Sequence, residues 1–369
     1  MKNRICCILN YGPHYRESIF QKMDLELKCH FYFGDTVFMD LKKLDYSKLQ
    51  GYKGELKTLK FRSFTWHLGI SKFFFRNYDS YIITGDPRCL SYWLLLLICI
   101  IRHKKIYLWC HGLKLQHYTK RAALLTRIFY KNASGGFLLY GNYSRNLMIE
   151  KGYSESKLHV IYNSLDHENQ YKLRQKQVAG DIYKQHFQNN DPVAIFIGRL
   201  IKEKKLELII ESQKKIIEQG VFFNTIFIGS GEMEQPLRDL SSEYELVDRV
   251  WFYGPCYEEQ QIAKLIYNAT LTISPGNIGL ATIHSLVYGT PVITHSNFWK
   301  HGPEFEAITP GETGDFFDED NVNDLVMKVS LWIKQSQNKR ETIRKMCYKK
   351  VDLYYNPDFQ IKLLKSILK

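Results

Sequence analysis

Residues Ile273–Thr294, ISPGNIGLATIHSLVYGTPVIT, place a strand, a glycine-bearing loop, a short helix and a second strand within 22 residues. Ile273-Ser274-Pro275 closes a β-rich run. Leu280, Ile283, Leu286 and Val287 then recur at helical spacing, Gly289 stops the helix, and Pro291 opens the next strand. A strand–helix–strand unit this tight belongs in an α/β sheet of parallel strands. Its glycine loop leaves backbone N–H groups at the positive end of a helix, where phosphate binds well. Glycine is also the default turn residue, so on these residues alone an ordinary crossover turn and a phosphate loop both stay open.

The same alternation runs through the whole chain. Strands are expected at 4–10, 30–34, 56–61, 80–84, 105–110, 136–140 and 158–162 in the first half, and at 193–198, 223–229, 249–253, 270–274 and 291–294 in the second. Helices of about 10–15 residues fall between them. The expected fold class is therefore α/β, with two doubly wound, Rossmann-like domains. At 369 residues the chain is long enough for both. We place the first domain at 1–175 and the second at 176–350, with the boundary in the polar stretch 167–191. Residues 351–369 are expected to form a C-terminal helix packing back on the first domain.

Charge is unevenly spread. The first 180 residues hold 29 Lys and Arg against 13 Asp and Glu, whereas the rest hold 22 against 25. A basic half implies an anionic partner: nucleic acid, anionic lipid or a phosphorylated acceptor. The interleaved aromatic and basic motifs of RNA modules are missing, so nucleic acid is not the expected partner. The apolar run Leu90–Ile101 is too short to span a bilayer. With the basic residues that follow it, this face is suited to resting on an anionic membrane surface. The eight cysteines form no CxxC pair and no His/Cys cluster at ligand spacing, as expected of buried thiols in a reducing compartment.

Ligands of open α/β sheets sit beyond the carboxyl ends of the strands, and the candidate residues lie there. Gly198-Arg199 ends a buried strand, and Lys204 follows at an expected helix start, where a cation is disfavoured by the helix dipole. Arg and Lys together can hold a diphosphate and stabilise it as a leaving group without a metal. His111 ends another strand in WCHGL and can bond a sugar hydroxyl. Gly12, His14 and Arg16 follow the first strand as candidate acceptor contacts. Asp35 and Asp86 also end strands. Asp318-Glu319-Asp320 spells a metal-type carboxylate pair, but it precedes a helix and reads better as an N-terminal cap, so no metal is expected.

Taken in order, GRL…K at 198–204, FIGSGEMEQPL at 227–237, VWFYG at 250–254, GLATIHSLVYGTPVI at 279–293 and PEFEAITPGETGDFF at 303–317 resemble the C-terminal half of retaining glycosyltransferases of family 4, the "glycosyl transferases group 1" type with the GT-B fold. The likeness is strong over about 190–320 and weaker over LWCHGL, FLLYGNYSRNLMIEKGY and LHVIYNSLD. It implies a nucleotide diphosphate sugar on the second domain and an acceptor mainly on the first, with reaction in an interdomain cleft. It assigns Arg199 and Lys204 to the diphosphate, the N–H groups of Gly279, Leu280 and Ala281 to the same site, and Gly254 and Pro255 to the base. The family's two loop carboxylates are replaced by Gly276 and His284. Asn277 or a backbone amide is the stand-in at the sugar, and His284 can bond a ribose hydroxyl. The resemblance further implies a saccharide acceptor, free or linked to a lipid diphosphate, and surface-polysaccharide assembly such as capsule, O-antigen or lipopolysaccharide synthesis. It places the enzyme in the cytoplasm, peripheral on the inner membrane face, with the nucleotide sugar as co-substrate and no cofactor. A sugar-nucleotide epimerase of the same fold and a basic nucleic-acid-binding protein stand as the alternatives.

Overall fold

All five side chains of β1 (Ile5–Leu9) are buried, and they alternate between two cores: Ile5, Cys7 and Leu9 enter one, Cys6 and Ile8 the other. A strand apolar on both faces requires helices over each side of a parallel sheet. The computed structural model describes residues 4–35, 42–113 and 120–368, and it builds this arrangement twice.

The first unit comprises Met1–Asp166 and Asn356–Lys369. After β1 come α1 (Glu17–Leu27), β2 (His30–Gly34), β3 (Tyr52–Leu56), β4 (Thr58–Phe61), β5 (Phe64–His67), β6 (Ser80–Thr84), α2 (Leu90–Ile101), β7 (Lys105–Cys110), α3 (Lys120–Lys131), β8 (Gly136–Leu139), α4 (Asn142–Glu150) and β9 (Leu158–Val160). Seven strands form a sheet in the order β3-β2-β1-β6-β7-β8-β9, with parallel pairing throughout. The stretch 56–61, expected as one strand, is divided. β3 ends at Leu56, and β4 pairs antiparallel with β5 in a separate hairpin.

The second unit is His167–Tyr355. It contains α5 (His167–Gln175), α6 (Ile182–Phe187), β10 (Val193–Ile197), α7 (Glu207–Glu218), β11 (Asn224–Ile228), α8 (Glu234–Glu243), β12 (Val250–Gly254), α9 (Glu259–Asn268), β13 (Leu271–Ser274), α10 (Ala281–Val287), β14 (Val292–His295), β15 (Gly314–Phe317) and α11 (Val322–Tyr354). Its six parallel strands run β12-β11-β10-β13-β14-β15. α11 runs across a kink at Lys339, so its 33 residues make two helical segments.

The division falls at Asp166/His167, nine residues before the boundary expected at 175/176. α5 belongs to the second unit because its polar side chains are anchored there: Arg174 Nη2 donates to Asp352 Oδ2 at 2.8 Å and Gln170 Nε2 to Glu259 Oε1 at 2.9 Å. Residues 351–355 finish α11 in the second unit. The chain then returns to the first unit as α12 (Pro357–Ile367), whose Ile361 and Leu364 enter the β1 core. Tyr107 Oη donates to the Ile367 carbonyl at 3.0 Å. Leu364 is fully buried, so Leu364→Ala should cost about 2–5 kcal/mol. Urea denaturation followed by tryptophan fluorescence checks this through a lowered midpoint.

Candidate active site

In each sheet the strand order reverses once, between β1 and β6 in the first unit and between β10 and β13 in the second. At such a reversal the crossovers leave in opposite directions and open a crevice past the carboxyl ends of the strands. The candidate residues gather at these two points.

In the second unit, Gly198 and Arg199 follow β10. Their loop is held by the turn after β11: Gly198 N–H donates to the Ile228 carbonyl at 3.0 Å and Leu200 N–H to that of Ser230 at 2.9 Å. Gly229 allows this approach, since a Cβ there would lie 1.9 Å from the Gly198 carbonyl oxygen. Arg199 is exposed beyond the strand end. Lys204 closes a single 3-10 turn, Lys202–Lys204, rather than starting a long helix; α7 begins three residues later, after Lys205 in the left-handed conformation at φ 50°.

Lys204 is the centre of the arrangement. Its Nζ donates to both Asn277 oxygens, the backbone carbonyl at 2.6 Å and Oδ1 at 2.5 Å. Burial, reinforced by the positive charge of Arg199, pushes its pKa down to about 8. The backbone is sewn at the same place, Gly276 N–H donating to the Lys204 carbonyl at 2.9 Å. A Cβ on Gly276 would stand 2.2 Å from the Glu203 carbonyl oxygen and 2.6 Å from Lys204 Cα. The space a side chain would need at 276 is therefore occupied by the 203–204 backbone. The far side of the loop is held by His301, whose Nδ1 accepts the Ile278 N–H at 3.1 Å while its Nε2 meets the His295 carbonyl at 2.8 Å. Burial lowers the pKa of His301 and brings that of His295 down to about 4. A neutral ring at 301 is what the Ile278 bond requires.

Gly279, Leu280 and Ala281 lie at the start of α10, whose first N–H groups have no intrahelical acceptor. Helical geometry begins at Ala281. His284 is one turn into α10 and is engaged: its Nε2 lies 3.0 Å from Glu259 Oε1. Glu259, at the first turn of α9, was not singled out from the sequence. Burial works against its charge, yet hydrogen bonds from His284, Tyr288 and Gln170 and the charge of His284 bring its pKa down to about 2. Gly254 and Pro255 end β12 at the sheet edge, the Gly254 carbonyl accepting from Gly229 N–H at 2.9 Å. The acidic triplet does not cap α11; Asn321 does, accepting from Asp324 N–H. Glu319 instead accepts from Lys205 at 2.8 Å and Lys300 at 2.7 Å. Among the described residues no group of three or more His, Cys, Asp or Glu is placed to hold a metal ion.

In the first unit a cavity of about 710 Å³ opens at the β1/β6 reversal. It is lined by Asn10 and Tyr11 after β1, Gly85, Asp86 and Arg88 after β6, and His111 after β7. The His111 ring packs on Tyr140 at 4.7 Å between centroids. Arg16 also lines the cavity; its guanidinium carbon sits 5.0 Å from the Trp109 ring and 5.1 Å from that of Tyr140, whose hydroxyl it bonds. Of the three expected acceptor contacts, only Arg16 reaches this space. Gly12 is buried, its N–H donating to Tyr46 Oη at 3.2 Å. His14 is exposed, its Nδ1 lying 3.2 Å from the Lys42 carbonyl. Asp35 N–H donates to the Leu56 carbonyl, away from the cavity lining.

Comparison with known proteins agrees with this geometry. Residues 181–350 match the family described as glycosyl transferases group 1. A glycogen synthase of Hydrogenovibrio crunogenus is 33% identical over 120 residues, 31% of this chain and 24% of its own length. A protein of Escherichia coli described as the putative colanic acid biosynthesis glycosyltransferase WcaL is 25% identical over 47% of this chain and 44% of its own. The chain thus spans less than half the length of these curated relatives. Two solved structures match over 99% of both chains: Anabaena HepE in complex with UDP, at a TM-score of 0.73 and 15% identity, and the lipopolysaccharide outer core galactosyltransferase WaaB, at 0.70 and 17%. The fold is that of the GT-B glycosyltransferases.

Gly276→Glu, which introduces the carboxylate that the family resemblance implies for this place, should displace the 203–204 backbone and lower the melting temperature by several degrees, as an overpacking change of about 1–3 kcal/mol does. Gly279→Ala, whose Cβ would meet nothing closer than 3.5 Å, should leave it nearly unchanged. Differential scanning fluorimetry of both variants checks this.

Proposed function

We propose, on the premise that residues 181–350 belong to the glycosyl transferases group 1 family, that this protein transfers a sugar from a nucleotide diphosphate donor to a saccharide acceptor with retention at the anomeric carbon. The observation that carries this reading is the Lys204 ammonium held against Asn277 at the β10/β13 reversal, beside Arg199. Two cations at this point suit a diphosphate. The Asn277 oxygens hold the Lys204 ammonium only until phosphate oxygens, which are charged and so stronger acceptors, take their place.

On this reading Arg199, Lys204 and the N–H groups of Gly279, Leu280 and Ala281 bind the diphosphate. As the bond from the anomeric carbon to the diphosphate oxygen breaks, negative charge grows on the leaving phosphate where these donors already point. The acceptor hydroxyl attacks the same face, and its proton passes to the departing phosphate oxygen, so no carboxylate nucleophile is needed. Gly254 and Pro255 lie toward the base. Glu259, held by His284, is the carboxylate this reading assigns to the ribose. His111 orients the transferred sugar. The acceptor occupies the first unit's cavity, between Arg16, Asp86 and Arg88.

A uridine diphosphate sugar is the first donor to test, because HepE, which shares the fold, is described with UDP and with UDP-glucose. The biological setting that fits is surface-polysaccharide synthesis, with a lipid-diphosphate-linked acceptor, at the cytoplasmic face of the membrane. A thermal-shift panel of uridine, guanosine and thymidine diphosphate sugars, followed by transfer assays with the best, tests the donor class. Arg199→Ala and Lys204→Ala should each cut turnover about 10²-fold or more. Near-normal turnover in both would refute the diphosphate site.

A further inference from the structure

We propose that the outer face of α2 and α3 in the first unit is a docking surface for an anionic lipid bilayer. This deepens the reading above by naming the surface on which the enzyme would meet a lipid-linked acceptor, and it rests on that reading.

The two helices share one side of the seven-stranded sheet. Tyr92, Leu95 and Cys99 of α2 and Phe129 and Tyr130 of α3 enter the same core, and Trp93 packs on Phe129 at 5.1 Å between centroids. With these side chains turned inward, an outer face that is also apolar remains. Leu97, Ile100 and Ile101 of α2 and Leu124, Leu125 and Ile128 of α3 are all exposed, Leu124 by 58% and Ile101 by 55%. Each set follows helical spacing, so each forms a stripe rather than a scatter. The apolar surface extends past the end of α2, where Arg102 Nη1 donates to the carbonyls of Phe74 and Arg76, each at 2.6 Å, beside the 85% exposed Phe75.

Charge identifies the occupant. No acidic residue occurs between Asp86 and Glu150, a stretch that holds ten Lys and Arg. Lys105, Arg121, Arg127 and Lys131 are exposed at the ends and flanks of the two stripes. Within α2 and α3 every charged residue is basic, and an apolar stripe that carries such cations complements anionic headgroups above acyl chains, where the apolar side chains enter the interface and the cations stay at its surface. Among the described residues no helix is long and apolar enough to cross a membrane. Leu125 belongs both to the exposed stripe and to the lining of the cavity that holds His111. A lipid-borne acceptor could keep its chain in the bilayer and still present its sugar to that cavity.

The test is sedimentation of the full-length protein with vesicles of mixed phosphatidylglycerol and phosphatidylcholine, against vesicles of phosphatidylcholine alone. We expect binding to the anionic vesicles that weakens with salt and falls about tenfold or more in Leu124→Glu/Ile128→Glu and in Arg121→Glu/Arg127→Glu. Circular dichroism verifies that both variants remain folded. Absence of binding to anionic vesicles, or undiminished binding in both variants, overturns the proposal. So does light scattering that finds a dimer of the wild type which Leu124→Glu/Ile128→Glu dissociates, since the stripe would then be covered by a second copy. Thermal stabilisation by UDP, measured on the same samples, separates the two readings. A retained UDP response without vesicle binding sinks the docking surface alone, whereas vesicle binding by a protein that answers to no nucleotide sugar sinks the glycosyltransferase reading.

Discussion

The reversal of strand order within each parallel sheet is the constraint on which the rest depends. Parallel neighbours need crossover connections, and these run with one hand. Strands added on opposite sides of a starting strand therefore send their connections to opposite faces, and the gap between them cannot be covered by either. β10 and β13 flank that gap in the second unit, β1 and β6 in the first. The reversal places Arg199 at the end of β10, the 276–281 loop after β13, Asn10 and Tyr11 after β1, and Asp86 after β6.

How the second-unit site is held explains its departure from the usual residues. Where a carboxylate would stand, Gly276 lets the 203–204 backbone close to within the space of a Cβ. The contact brings Lys204 against Asn277 and fixes the ammonium in place. His284 is in turn met by Glu259 from the neighbouring helix α9. The close backbone contact and the neutral His301 on the loop's far side together limit how far the loop can move.

Much of this was legible beforehand. The alternation of apolar strands with amphipathic helices, each long enough to be seen, announced two parallel sheets and put Arg199 and His111 at strand ends, with Lys204 five residues past Arg199. What escaped has physical causes. Residues 56–61 read as one strand because Lys57, where β3 gives way to β4, is neither glycine nor proline and does not mark the change of partner from β2 to β5. The break between Lys204 and α7 is likewise made by a lysine, at φ 50°. The polar composition of 167–191 looked like a linker, but α5 is held to the second unit through buried Arg174 and Gln170, a polar anchorage that hydropathy does not register. Glu259 was one more acid at a helix start. Its importance comes from three partners, Gln170, His284 and Tyr288, the farthest 89 residues away in sequence.

The central claim is that Lys204 is the cation that meets the donor's diphosphate, and its lowered pKa makes the claim measurable. The free ammonium loses its proton as pH rises through about 8, whereas the terminal phosphate of UDP, with a second pKa near 6, is already fully ionised there. Diphosphate binding needs the charged form, so affinity should be full below about 8 and fall above it. Arginine keeps its charge throughout. Calorimetric titration of UDP across this range should give an affinity that drops with rising pH in the wild type and stays level in Lys204→Arg. An identical pH dependence in the two proteins would contradict the account.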